Sequence, residues 1–152
     1  MRKFLLSLVA ICFLGLGVQA QEMSKGQLVG SARLGFGGSG FPIAVSGDYG
    51  VVSNLINGND AISVGGQVGM FIWNDGYNSH ISLTAAFRAN FHYQFVDNLD
   101  TYAGAQIGLF RNGLGLGFDL GARYYFNDKF GVNLEFGGCG FTGVSAGISM
   151  KL

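Results

Sequence analysis

The chain has 152 residues, a length that fits one domain. Glycine supplies 27 of them, and Asp, Glu, Lys and Arg together make up 12% against 49% hydrophobic residues, so charges are too few to coat a soluble globule and apolar side chains too many for disorder. One proline and no three-residue glycine period exclude collagen, and a formal net charge of zero with no basic run beyond Lys3 leaves no electrostatic footprint for nucleic acid.

Arg2 and Lys3 form a basic start, residues 4–16 are apolar apart from Ser7 and Gly15, and Val18-Gln19-Ala20 closes the run with small or modest side chains. This reads as a secretory signal over residues 1–20, cut before Gln21, with residues 21–152 as the mature domain. The apolar run of ~13 residues falls short of the ~20 a membrane-spanning helix needs. Ile11 stands where lipoprotein cleavage before Cys12 would need a small residue. Cys139 is then the one cysteine of the mature chain, expected as a free thiol in a loop, and no intramolecular disulfide can hold the fold.

The mature chain alternates with period two. Candidate strands cover residues 28–36, 41–51 and 62–73. From His80 a longer one places Ile81, Leu83, Ala85, Phe87 and Ala89 on one face and Ser82, Thr84, Ala86, Arg88 and Asn90 on the other. A fifth covers 101–110. Over residues 114–126 the faces separate most cleanly, with Leu114, Leu116, Phe118 and Leu120 against Gly115, Gly117, Asp119 and Gly121. Residues 130–136 and 144–152 complete an even set of eight, and neither long segment has helical periodicity. Val96-Asp97-Asn98 and Asn127-Asp128-Lys129 read as three-residue hairpin connections, whose odd length keeps the apolar faces on one side. Residues 37–40, 74–78, 111–113 and 137–143 connect at the opposite end, and 53–60 is the longer link on the tight-turn side. The Asn127–Lys129 turn sets Tyr125 opposite Gly131, Arg123 opposite Asn133 and Gly121 opposite Glu135, with Arg123 as the diagonal partner of Glu135.

A meander of eight strands closes into an all-β, antiparallel up-and-down barrel, which leaves no exposed edges. In a soluble barrel the apolar face points inward; in a transmembrane barrel it meets lipid. Here the other face carries Gly65, Gly69, Gly104, Gly108, Gly115, Gly117, Gly121 and Gly147 with few charges, a poor solvent coat but a good filling for a narrow lumen. Aromatics cluster toward the strand ends, with Phe36, Phe41, Trp73, Tyr77, Phe110, Phe136 and Phe141 at one end and Tyr49, Tyr93, Phe95, Tyr124, Phe126 and Phe130 at the other, as two interfacial girdles require. A closed transmembrane β-barrel exported by a signal peptide points to the bacterial outer membrane.

Gly121-Ala122-Arg123-Tyr124-Tyr125-Phe126, the segment Phe130-Gly131-Val132 leading to Glu135, Tyr102-Ala103-Gly104, Asp48-Tyr49-Gly50-Val51 and the terminal Gly147-Ile148-Ser149-Met150-Lys151-Leu152 together resemble the small outer-membrane β-barrel family of the OmpA/OmpX-like type. The resemblance spans the mature chain and reports barrel construction. It implies a structural, adhesive or surface-exposed membrane protein. Leu152 departs from the family's usual terminal aromatic, and the outer loops are shorter than in adhesive relatives.

This face assignment sends Arg33, Arg88, Arg123 and Lys151 into the lumen against Asp48, Asp119 and Glu135, with Gln67, His92 and Gln106 between them. Charges in so narrow a space must pair, so a plugged, salt-bridged barrel is expected. A narrow channel for small solutes or hydrophobic compounds is the alternative. A lipid A-modifying enzyme is a third, resting on His80 and Ser82, two apart on one strand, but no Glu follows at short spacing. The protein is therefore expected not to be an enzyme and to need no cofactor or metal. Its expected partners are outer-membrane lipid and lipopolysaccharide, and the barrel-assembly machinery during insertion, with the barrel itself a monomer.

Overall fold

A computed structural model describes residues 23–36, 40–56, 58–110, 113–137 and 143–152. The expected signal at 1–20, Cys139, Phe141 and the side chain of Phe36 lie outside these residues. Eight strands follow in order: β1 Leu28–Phe36, β2 Gly40–Ser53, β3 Asp60–Asn74, β4 Ser79–Val96, β5 Leu99–Phe110, β6 Gly113–Tyr125, β7 Phe130–Gly137 and β8 Val144–Lys151. Each pairs antiparallel with the next, and β1 pairs with β8, so the sheet closes on itself.

Local chemistry sets the reversals. Asn127 Oδ1 accepts from the amides of Lys129 (2.9 Å) and Phe130 (2.7 Å), a side-chain-stabilised turn that starts β7. Tyr125 then faces Gly131, Arg123 faces Asn133 and Gly121 faces Glu135, the register expected from sequence. The β4–β5 reversal is shorter than the expected three residues. Asp97 and Asn98 alone connect the strands, with Asn98 at φ 69°, and a bulge between Gln94 and Val96 restores the face parity that an even turn would have reversed. Asp60 closes the β2–β3 turn, accepting from the amides of Leu55 (2.9 Å) and Ile56 (3.0 Å).

The faces are those of an inverted globule. On β6, Leu116 and Phe118 are 83% and 77% exposed, whereas Asp119 and Arg123 are 2% and 0% exposed. A soluble monomer rarely exposes an apolar patch of more than a few hundred Å², and here the apolar side chains run around the whole outer wall. The buried interior is polar, and its glycines make room: a Cβ on Gly65 would overlap the Gly47 carbonyl, and one on Gly147 the Ala32 carbonyl. The outer wall also holds glycines, because Gly30, Gly47 and Gly66 face one another in register across β1, β2 and β3.

The girdle assignment needs correcting at Trp73 and Phe110. Trp73 lies on the same strand face as buried Phe71 and stacks on His80 at 5.0 Å, so it belongs to the barrel rim rather than to the outer wall. Phe110 is likewise turned over the inward face, against Gly115. Strand parity explains both: 71 and 73 share the inward set with Gln67, and 110 shares it with Gln106.

Candidate functional site

Among the described residues, charge concentrates in the lumen. Arg33, Asp48, Gln67, Arg88, His92, Gln106, Asp119, Arg123, Glu135 and Lys151 are all buried there. Asp100 joins them, which balances four cations (Arg33, Arg88, Arg123, Lys151) with four anions (Asp48, Asp100, Asp119, Glu135).

Arg88, from the middle of β4, is the hub. It reaches Asp48 (3.2 Å), Asp119 (3.2 Å), Glu135 (3.0 Å) and the Gln67 amide oxygen (2.7 Å), tying β2, β3, β6 and β7 together through one side chain. A guanidinium has five donors in a planar fork and suits this use where an ammonium does not. Arg33 adds a second fork, donating to Glu135 and Gln67, and Arg123 donates to Asp48 and lies 3.5 Å from Asp100. In the amide orientation that satisfies its neighbours, Asn90 donates to Asp119 (2.9 Å) and accepts from Arg88 Nε (3.0 Å).

The expected Arg123–Glu135 pair is replaced by two separate sets. The Tyr102 ring lies between them: Arg123 stacks over it at 4.5 Å while its hydroxyl donates to Glu135 at 2.6 Å. Gly121, which the register places between Tyr102 and Glu135, provides the space. Arg88 stands 5.5 Å from the same ring, so a neutral aromatic separates two guanidinium groups that would otherwise repel.

Toward the end where β1 begins and β8 stops, His92 bridges Asp100 (Nδ1, 2.8 Å) and Ser63 (Nε2, 2.8 Å). Lys151 lies 4.1 Å over the Tyr125 ring, and Met23, Val29 and Ala61 form an apolar cluster at the mouth. Sequence reasoning missed Asp100 and Ser63. Both were accessible by parity, since Asp100 extends the inward set Tyr102, Gly104, Gln106 by one step and Ser63 that of Gly65 and Gln67. Gln106 packs against Gly117, where a Cβ would come within 3.0 Å of its Cγ.

His80 Nε2 bonds the Asp75 carboxylate at 2.9 Å, and its ring is committed to Trp73. Asp75 also accepts from the amides of Asn78 and Tyr77; these bonds, with that from His80, hold its carboxyl down at about 2.

No protein-family model matches this sequence, and no curated protein matches it. Among solved structures the barrel is similar to a chain described as "De novo design of transmembrane beta-barrels", with a TM-score of 0.59 and 16% identity, covering 87% of this chain and 100% of that one. The fold resembles a transmembrane β-barrel. At this identity the likeness is one of architecture, and it accords with an apolar outer wall and a charged interior.

Proposed function

We propose that the protein is a small integral outer-membrane β-barrel of the OmpA/OmpX-like type, exported by residues 1–20, with an occluded lumen and a structural or surface-interaction role. The observation that carries this reading is the lattice centred on Arg88, which crosses the lumen from β4 to four other strands at distances of 2.7–3.2 Å. A conducting pore needs a continuous water path, and one cleft that reaches Arg33, Gln67 and Glu135 from Pro42 and Ser145 holds about 10 Å³, room for about one water. The reading gives His80 a structural part at the rim, bonded to the Asp75 carboxylate and stacked on Trp73. Its partners are lipid and lipopolysaccharide along the wall, and the assembly machinery during insertion, with the barrel itself a monomer.

Single-channel recording in planar bilayers tests it. Purified protein whose gel mobility shifts on boiling should give no sustained steps. Sustained nanosiemens-scale openings from the same preparation would reject the occluded lumen.

A further inference from the structure

His92 borders the guanidinium lattice, its ring 5.4 Å from that of Tyr102. Its Nδ1 lies 2.8 Å from Asp100 Oδ1 and its Nε2 2.8 Å from Ser63 Oγ, with all three side chains buried. An ionised carboxylate only accepts, so Nδ1 carries the imidazole proton and Nε2 is left to accept from the Ser63 hydroxyl. Asp100 is steadied from its other side by Arg123 Nη1 at 3.5 Å. Nucleophile, base and orienting carboxylate thus stand in the order and at the spacing that acyl transfer to serine requires.

The three residues come from three strands, and the register brings them together. Ala61 pairs with His92, which puts Ser63 one inward step along β3; Tyr102 pairs with His92, which puts Asp100 one inward step along β5. His92 is therefore the diagonal neighbour of both, a distance side chains span across a sheet. No local motif announces such a site.

A short strap lies beside it, packed on the residue that pairs with His92. Met23 packs with Val29 and Ala61, the residue directly opposite His92. Residues 23–27 are tied down by Gly26 N to Gly50 O (2.8 Å) and Gly50 N to Gln27 O (2.8 Å), and the Ser24 carbonyl lies so close to Gly50 that a Cβ there would overlap it. The geometry points to a second role beyond the structural one: Ser63, His92 and Asp100 form an acyl-transfer site for small carboxylic esters, latent while the strap is in place. Ser63 Oγ bonds the carbonyl carbon as its proton passes to His92 Nε2. The ester C–O bond breaks, the alcohol leaves with that proton, and water activated by the same base releases the acid from Ser63.

A fluorophosphonate reports the nucleophile directly, since the Ser63 O–P bond forms and fluoride leaves. The full chain is labelled in detergent after heat-dependent mobility has shown it folded, in wild type and in Gly50→Ala, whose added Cβ displaces the strap. Met23→Gly, which removes the strap side chain packed on Ala61, serves as the second opened variant. A single adduct mapping to Ser63 is expected, forming on the order of tenfold faster in the opened variants. Ser63→Ala should abolish it, and His92→Gln, which keeps hydrogen-bonding capacity, should slow it by about 100-fold. Folded, opened barrels with no adduct on Ser63, or labelling indifferent to His92→Gln, would overturn the site. Mobility and conductance are read separately, so that failure would leave the barrel reading intact.

Discussion

The Tyr102 hydroxyl donates to the Glu135 carboxylate at 2.6 Å across Gly121, so that β5 and β7 are bonded through the side-chain gap that β6 leaves between them. The ring fills this gap, since a Cβ on residue 121 would overlap its Cζ and crowd its hydroxyl. Tyr102→Phe keeps the ring and deletes a donor to a charged acceptor. It should cost about 1.5–3 kcal/mol, the range for hydrogen bonds to charged groups. Equilibrium unfolding by urea in lipid vesicles, followed by heat-dependent gel mobility, would measure it, and an unchanged midpoint would show that the bond contributes nothing.

Arg88→Met should be among the most damaging substitutions in the lumen. It takes the guanidinium from Asp119 and one of two from Asp48 and Glu135, which keep Arg123 and Arg33, and breaking a buried pair from one side typically costs about 3–5 kcal/mol. Adding Asp119→Asn removes the charge left without its guanidinium and should recover part of that loss. Double-mutant unfolding curves that are strictly additive would contradict a shared lattice.

Gly65 and Gly66 are adjacent in sequence and opposite in environment. A Cβ on Gly66 would meet only the Ala86 carbonyl oxygen at 3.7 Å, an ordinary contact, whereas one on Gly65 would lie 2.7 Å from Asp48 Oδ1 and overlap the Gly47 carbonyl. Gly66→Ala should therefore shift stability by less than about 0.5 kcal/mol, and Gly65→Ala should cost about 1–3 kcal/mol through overpacking. Equal unfolding midpoints would refute the face assignment of β3.

Asp75 titrates at about 2, below its ordinary value of 3.8, because the backbone amide of Asn78, His80 and the amide of Tyr77 all donate to it. A depressed carboxyl stabilises the loop at pH values above its unfolded-state pKa, and that contribution fades as the pH falls from 3.8 through 2. Carboxyl-detected NMR titration should place the Asp75 midpoint near 2, and His80→Ala should move it upward. A midpoint unmoved by the substitution would show that the His80 contact is absent in solution.

Much of the fold is legible because strand parity in a wall with an apolar outer face is a strong signal. Leu114, Leu116, Phe118 and Leu120 against Gly115, Gly117 and Asp119 fix both the strand and its faces, and the Asn127 turn fixes the β6–β7 register. Parity falters where an extra residue enters a strand, as at the Gln94–Val96 bulge, and where an aromatic turns inward at the rim, as Trp73 does. Burial in the lumen was legible too, residue by residue, but the pairing was not. Arg123 was expected beside Glu135 from sheet geometry alone, and the Tyr102 ring, able to reach across Gly121, redirected it to Asp48 and Asp100. Ser63, His92 and Asp100 belong to three strands, so only a complete register brings them together.

The central claim is that the apolar face of this barrel meets lipid and the charged face closes the lumen. Spin labels placed singly on residues 114–123 of β6, in a cysteine-free background reconstituted in vesicles, test it through their accessibility to oxygen and to a water-soluble relaxation agent. Oxygen accessibility should oscillate with period two, high at 114, 116, 118 and 120 and low at 115, 117, 119 and 121, with the aqueous agent excluded from both sets at mid-strand. Strong exposure of 116 and 118 to the aqueous agent would contradict the claim and mean that the wall faces water.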